Sequence, residues 1–281
     1  MSAQRSLREK KKKEKKLQSE LATVRTSLKK QKSIQSKLDE PAGTSTTEGK
    51  VVDLADVIEL PTNVQEEIAE RDVIFAPNEG PQTDFLAAPE TDVLYGGAAG
   101  GGKSYAMLVD PLRFAHRAAH RALILRRSMP ELRELIDKSR ELYPKAFPGC
   151  KFREVEKIWT FPSGAKLEFG FLERDADVYR YQGQAYSWIG FDEITHLSTE
   201  FSWNYLSSRL RTTDPEIQPY MRCTANPGGA GAHWVKKRYV HPSEPNESFL
   251  GKDGLTRKFI PARLDDNPYL SKDGRYEQML K

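Results

Sequence analysis

Three short stretches carry side chains whose types and spacing could act on a phosphate. Gly97 and Gly102 bracket Ala98, Ala99, Gly100 and Gly101, and Lys103 and Ser104 follow, which satisfies the pattern G-x-x-x-x-G-K-[ST]. Five glycines fall within residues 96–102, a local excess that costs stability unless a bare backbone is needed there. Successive N–H groups with no Cβ in the way can close around a β-phosphate at the positive end of a following helix. Lys103 would then neutralise β and γ oxygens, and the Ser104 hydroxyl would ligate Mg2+. A second stretch, "SWIGFDE", ends an apolar run on Asp192 and Glu193, 89 residues after Lys103. Phosphoryl transfer to water needs a carboxylate for the metal's outer shell and a group that orients the nucleophile, and Asp192 and Glu193 supply one of each. Neighbouring strand residues point to opposite faces, so the strand is expected to end at Glu193 if both are to serve one site. The implied ligands are ATP and Mg2+.

Other chemistry finds less support. His116 and His120 are spaced i, i+4, but Arg117 follows the first histidine where a zinc hydrolase has glutamate. His196, His233 and His241 show no ligand spacing, and Cys150 and Cys223 fit neither a disulfide framework nor a zinc site, which agrees with a reducing compartment. No apolar run approaches the ~18 residues of a membrane span, and the lysine-rich start has no apolar core behind it, so the expectation is a soluble, cytoplasmic protein. The net charge of +4 is unevenly placed: residues 1–40 hold 13 Lys and Arg against 5 Asp and Glu, leaving the remainder mildly acidic.

Elements must position these groups. Residues 8–38 lack Gly and Pro, and Leu17, Leu21, Val24 and Leu28 form a short a/d seam, so residues 1–50 read as a basic helical or disordered arm ending in the breaker-rich linker "EPAGTSTTEGK". The folded body is expected over 51–281, with its core at about 70–245 and a C-terminal segment 250–281 leading toward a lid or linker. "DVLYGG", "RALILRR", "SWIGFDE", "PYMRCTANP" and "RKFIPAR" read as strands. Helices are expected over Lys103 to Ala118, Pro130 to Tyr143 and Glu200 to Arg211, and "KIWTFPSGAKLEFGFL" as a hairpin turning at Pro162-Ser163-Gly164. This alternation predicts an α/β fold of the P-loop NTPase (RecA/ASCE-like) kind, a mostly parallel sheet flanked by helices.

The ordered set "GPQTDFL", "VLYGGAAGGGKS", "ALILRRSMPELREL", "YRYQGQAYSWIGFDE", "RCTANPGG" and "FIPARLDDNPYL" resembles the ATPase domain of the large terminase subunit of tailed bacteriophages. That resemblance runs from about Phe75 to the C-terminus. It implies an ATP-hydrolysing motor that drives double-stranded DNA into a procapsid in the host cytoplasm. The implied partners are a portal protein and a small terminase subunit, and the implied assembly is a homo-oligomeric ring. It also implies residue roles. Gln82 would read the adenine edge, Asn226 would sense the γ-phosphate from a strand between those carrying Lys103 and Asp192, and Arg180 would reach a neighbouring subunit's ATP. Arg126 and Arg127 compete with Arg180 for that duty. Such subunits usually carry a nuclease domain as well, and only 11 residues follow "NPYL", so the expectation is an ATPase-only product, a truncation or one piece of a split gene. Two other functions compatible with the same residues are a helicase-type P-loop ATPase and a nucleotide-gated DNA-binding or assembly module.

Overall fold

The computed structural model describes residues 73–98, 100–263 and 266. The expected basic arm and linker, the start of the folded body, Ala99 and the segment beyond residue 266 lie outside the described residues.

The described strands form one sheet in the order β3-β4-β5-β2-β6-β7-β1-β9-β8. They are β1 (Asp92–Gly97), β2 (Arg121–Arg126), β3 (Lys151–Arg153), β4 (Ile158–Thr160), β5 (Lys166–Phe171), β6 (Trp188–Phe191), β7 (Tyr220–Ala225), β8 (Ser248–Leu250) and β9 (Thr256–Ala262). From β5 to β9 every neighbouring pair is parallel, whereas β3-β4-β5 and β8-β9 pair antiparallel. Parallel strands covered on both faces read as continuous apolar runs, and β6 and β7 are buried at every position. Alternation then sends Val93 and Tyr95 into one core with Met107, Ile124 and Leu135, and Leu94 into the other with Leu123, Ile189, Trp203 and Tyr239.

The helices are α1 (Pro81–Ala87), α2 (Lys103–Val109), α3 (Met129–Ala146), α4 (Phe201–Ser207) and α5 (Ala232–Val235), the last continued by a π-helical turn, Lys236–Val240. In α3, Leu132, Leu135, Ile136, Ser139, Leu142 and Tyr143 are buried at i, i+3, i+4, i+7, i+10 and i+11, the stripe of a helix lying on a sheet. Two helices are shorter than the sequence suggests. α2 ends at Val109 and the chain tightens into a 3-10 turn, Asp110–Phe114, because Pro111 has no N–H to continue the ladder. The Asp110 carboxylate is also drawn away by the Trp188 indole N–H at 2.7 Å. α4 ends at Ser207, where the hydroxyls of Ser207 and Ser208 donate back to the carbonyls of Asn204 and Tyr205, both at 2.7 Å.

An ionic cluster pins the start of β1. Asp92, fully buried, accepts bonds from the Arg238 guanidinium at 2.9 Å, Arg257 Nε at 3.1 Å and the Tyr239 hydroxyl at 2.6 Å. Strand β1 is thereby tied at one end to β9 and the π-helical turn, and it emerges at its other end as the glycine loop.

Candidate active site

At the end of β1 the backbone of the loop is walled on two sides. Gly97 has φ +139, and a Cβ there would stand 2.0 Å from the Ala262 carbonyl oxygen of β9. Gly102, at φ +74, would place a Cβ 2.7 Å from Gln82 Nε2 of α1. At Gly97 a side chain would collide with backbone that cannot yield, and at Gly102 the left-handed φ itself favours glycine while the Gln82 amide would have to shift. The Tyr95 hydroxyl donates to the Gly101 carbonyl at 2.7 Å. Lys103, almost fully buried, turns its ammonium back onto the loop and donates to the carbonyls of Gly97 and Ala98. Burial pushes its pKa down, against the opposing pull of Glu193 and Asp192.

Register brings the acidic pair to this loop. Leu125 lies beside Phe191 and Phe191 beside Cys223, so the residues just beyond them, Arg126, Asp192 and Thr224, meet side by side at the same end of the sheet. Asp192, fully buried, accepts the Thr224 hydroxyl on Oδ1 at 2.5 Å and Arg126 Nε on Oδ2 at 2.8 Å, with Arg126 Nη2 bonding the same oxygen. Arg126 Nη2 also donates to Ser104 Oγ at 3.4 Å. One guanidinium therefore bridges the loop's hydroxyl and the strand's carboxylate. Burial opposes the arginine's charge, but the Asp192 carboxylate raises its pKa.

Glu193 leaves the strand path in the left-handed region, at φ 63, where an L side chain costs about 1–2 kcal/mol. The turn directs it into the same cleft as Asp192. Thr224 Oγ1 accepts the Glu193 N–H at 3.0 Å, so one hydroxyl fixes both acidic residues. The Glu193 carboxylate accepts the Asn226 N–H on Oε2 at 3.1 Å and the Asn226 side-chain amide on Oε1. Burial, reinforced by Asp192, raises the Glu193 pKa, with the Asn226 bond, Lys103 and Arg126 acting against the rise. Asn226 Oδ1 is buried without a hydrogen-bond partner beside a cleft of about 340 Å³ lined by Arg126, Glu131, Glu193 and the Pro227-Gly228-Gly229 turn. That acceptor, at the rim of the cleft, is open to a ligand or a water.

The family profile described as "Terminase large subunit, T4likevirus-type, N-terminal" matches residues 94–247. The chain belongs to the phage large terminase family. Solved structures agree on the fold of this terminase chain. The large terminase of a thermophilic bacteriophage in complex with ADP superposes with a TM-score of 0.56 at 20% identity, over 73% of this chain and 50% of that one. The same large terminase with ATP-gamma-S gives 0.55 at 19% identity, over 73% and 50%. The large terminase ATPase domain of Thermus phage P74-26 gives 0.51 at 14% identity, over 73% and 87%. The chain spans about half the length of that thermophilic phage terminase. A comparison with curated proteins gives no match.

Within the terminase chain, the sequence-derived residues are partly brought together. Gly97, Ala98, Gly100, Gly101, Gly102, Lys103 and Ser104 form one loop, faced by Asp192, Glu193 and Asn226, and β7 lies between β1 and β6 as expected. Gln82 is at the loop but commits its amide to it: Nε2 donates to the Gly102 carbonyl at 2.9 Å and Oε1 accepts the Asn78 N–H at 2.7 Å. Beside it is a slot of about 380 Å³ with Phe75 and Tyr105 stacked at 5.4 Å. Arg180 is not in the cleft. It is half exposed, donates to Asp177 Oδ1 at 2.7 Å and lies over the Phe171 ring. Arg127 donates to the His196 carbonyl. Arg126 is thus the arginine present in the cleft, and Thr224, which the sequence reading missed, is the hydroxyl that organises it.

Proposed function

We propose that this chain hydrolyses ATP as the motor domain of a phage packaging machine that moves double-stranded DNA into a procapsid. The observation that carries the reading is the single chain of contacts Ser104–Arg126–Asp192–Thr224–Glu193–Asn226, which joins the phosphate loop to a buried acid able to orient water. The donor set also fits Mg2+. Ser104 Oγ and Asp192 Oδ2 are hard oxygens that already converge on one cation, the Arg126 guanidinium. Bound there, the metal would neutralise charge on the β and γ oxygens.

The chain's own residues then act as follows. The loop N–H groups and Lys103 hold the triphosphate, Lys103 exchanging its carbonyl partners for phosphate oxygens. Arg126, displaced from Ser104, remains anchored by Asp192 within reach of the cleft. Glu193 accepts one Asn226 bond on each oxygen and keeps lone pairs open to accept a water proton, while Asn226, adjoining the same cleft, is placed to report the γ-phosphate. The slot at Phe75, Tyr105 and Gln82 takes the base. Arg180, exposed and paired only with a neighbouring carboxylate on the surface, is available to a second copy in a ring. Portal protein, procapsid and small subunit are the partners this reading implies.

The test is ATP turnover by the purified chain with Mg2+, with and without duplex DNA. Hydrolysis accelerated by duplex supports the motor. Nucleotide binding with turnover at background, even with duplex present, would favour a nucleotide-gated module instead.

A further inference from the structure

A groove of about 690 Å³ lies away from the nucleotide site. Its rim holds Arg121 and Lys166, the first residues of β2 and β5, whereas the nucleotide loop and acidic pair sit at the opposite ends of the parallel strands. Arg121 and Arg126 are the two ends of the six-residue strand β2, about 17 Å apart.

The groove exists because one sheet face is uncovered there. Trp159, Leu167 and Phe169 point into the core under α3, and the Trp159 indole donates to Ser139 Oγ of that helix at 2.9 Å. Period-2 alternation therefore turns Ile158, Lys166 and Glu168 to the other face, where they line the groove.

The charges on this rim are unbalanced. Among the described residues the Arg121 guanidinium donates to the carbonyls of Ala118, His120 and Gly164, and that of Arg211 to those of Gly183 and Gln184. Among the described residues no carboxylate lies within ion-pair distance of Arg121, Lys166 or Arg211. The nearby acids Asp214 and Glu216 are taken by Arg117. The one carboxylate lining the groove, Glu168, is engaged by the Tyr186 hydroxyl, which donates to it at 3.0 Å. Gln184, Thr212 and Thr213 add neutral donors to the same rim. Arg and Lys interleaved with Thr and Gln is the set of side chains that holds nucleic-acid phosphates.

Resting on the motor reading for the identity of the polyanion, we propose that this groove, rimmed by Arg121, Lys166 and Arg211, grips the phosphate backbone of the translocated duplex. Its place at the far ends of the strands that carry Arg126 and Asp192 lets the sheet connect the DNA contact to the nucleotide site.

The experiment compares duplex affinity across salt concentrations for the full chain, the double variant Lys166→Gln with Arg211→Gln, and the control Lys138→Gln, whose ammonium pairs with Glu134 on α3. The full chain is used throughout, so the contribution of the basic residues 1–40 is common to all three proteins. Each lost phosphate contact should lower the slope of log affinity against log salt by about 0.9. The double variant should therefore lose about 1.8 from the slope and bind roughly tenfold or more weakly near 0.1 M salt. Lys138→Gln should match the parent, and duplex-free ATP turnover should be equal in all three. An unchanged slope in a double variant with parental melting temperature overturns the proposal, as does a parent with no duplex affinity. A groove that instead docks an acidic protein would give the same unchanged slope. Failure of the motor reading would show separately, as absent ATP turnover in the parent.

Discussion

Replacing Thr224 by valine keeps the side-chain volume and removes one oxygen. That oxygen donates to Asp192 Oδ1 at 2.5 Å and accepts the Glu193 N–H at 3.0 Å, in a place where Asp192 is fully buried. A hydrogen bond to a charged group is worth about 1.5–3 kcal/mol, and an orphaned buried donor costs about 1–3 kcal/mol. Asp192 keeps its bonds from Arg126, which limits the total, so a loss of about 2–3 kcal/mol in stability is expected. For a folded body of this size each kcal/mol shifts the melting temperature by about 2–4 °C, giving a fall of roughly 4–12 °C. The larger consequence is at Glu193. Its left-handed turn costs about 1–2 kcal/mol and is held through the N–H that Thr224 accepts, so turnover should fall by about 5- to 30-fold as the carboxylate loses its fixed direction. The Thr224 hydroxyl bonds Asp192 and Glu193 rather than the phosphate loop, so the KM for ATP should change by less than about threefold. Steady-state ATPase kinetics, nucleotide titration and thermal melts on Thr224→Val and Thr224→Ser measure each part, and the serine variant should behave nearly as the parent. Undiminished kcat in Thr224→Val, or a loss carried wholly by nucleotide affinity, would refute the reasoning.

Gly97→Ala should abolish nucleotide binding, because its Cβ would stand 2.0 Å from a backbone oxygen of β9; titration with a fluorescent ADP analogue checks this. Glu193 must be ionised to accept a proton, and burial raises its pKa, so activity should be full above that raised pKa and fall as pH drops through it, with an acid limb above the ordinary carboxylate range. A pH–rate profile of kcat/KM locates the limb, and the same ionisation opposes rather than adds to folding stability, so stability gains nothing there as pH rises. Arg126→Gln leaves the buried Asp192 carboxylate without its cation, a loss of about 3–5 kcal/mol, and millimolar Mg2+ alone should raise the melting temperature of this variant more than that of the parent.

Much of this architecture was legible in the residues, for physical reasons that differ by element. The central parallel strands β1, β2, β6 and β7 are buried along nearly their whole length, so their apolar runs stand out, and the glycine loop announces itself because only a close backbone approach explains so many missing Cβ atoms. The departure of Glu193 from the strand path, with β6 ending at Phe191, followed from the need to bring two adjacent carboxylates to one side. Edge strands β3 and β8 were not legible, being three residues long with only their middle residue partly buried. Helix ends failed where local chemistry competes with the ladder, at Pro111 and at Ser207-Ser208. Thr224 and Arg126 acquire their positions from strand register, which a single chain does not display. The spacing of Thr224 two residues before Asn226 on one strand face was the available signal for the first. Gln82 reads as a residue facing a ligand, yet in the structure its amide is spent on Asn78 and Gly102, a choice that depends on how α1 packs against the loop.

In the proposed mechanism Glu193, held by Thr224 and Asn226 opposite the phosphate loop, orients the water that attacks ATP. Single-turnover hydrolysis of ATP by Glu193→Gln isolates that role, since glutamine keeps the shape and loses the charge. ATP should bind with near-parental affinity and its hydrolysis should slow by about a hundredfold or more. Hydrolysis at the parental rate would contradict that role.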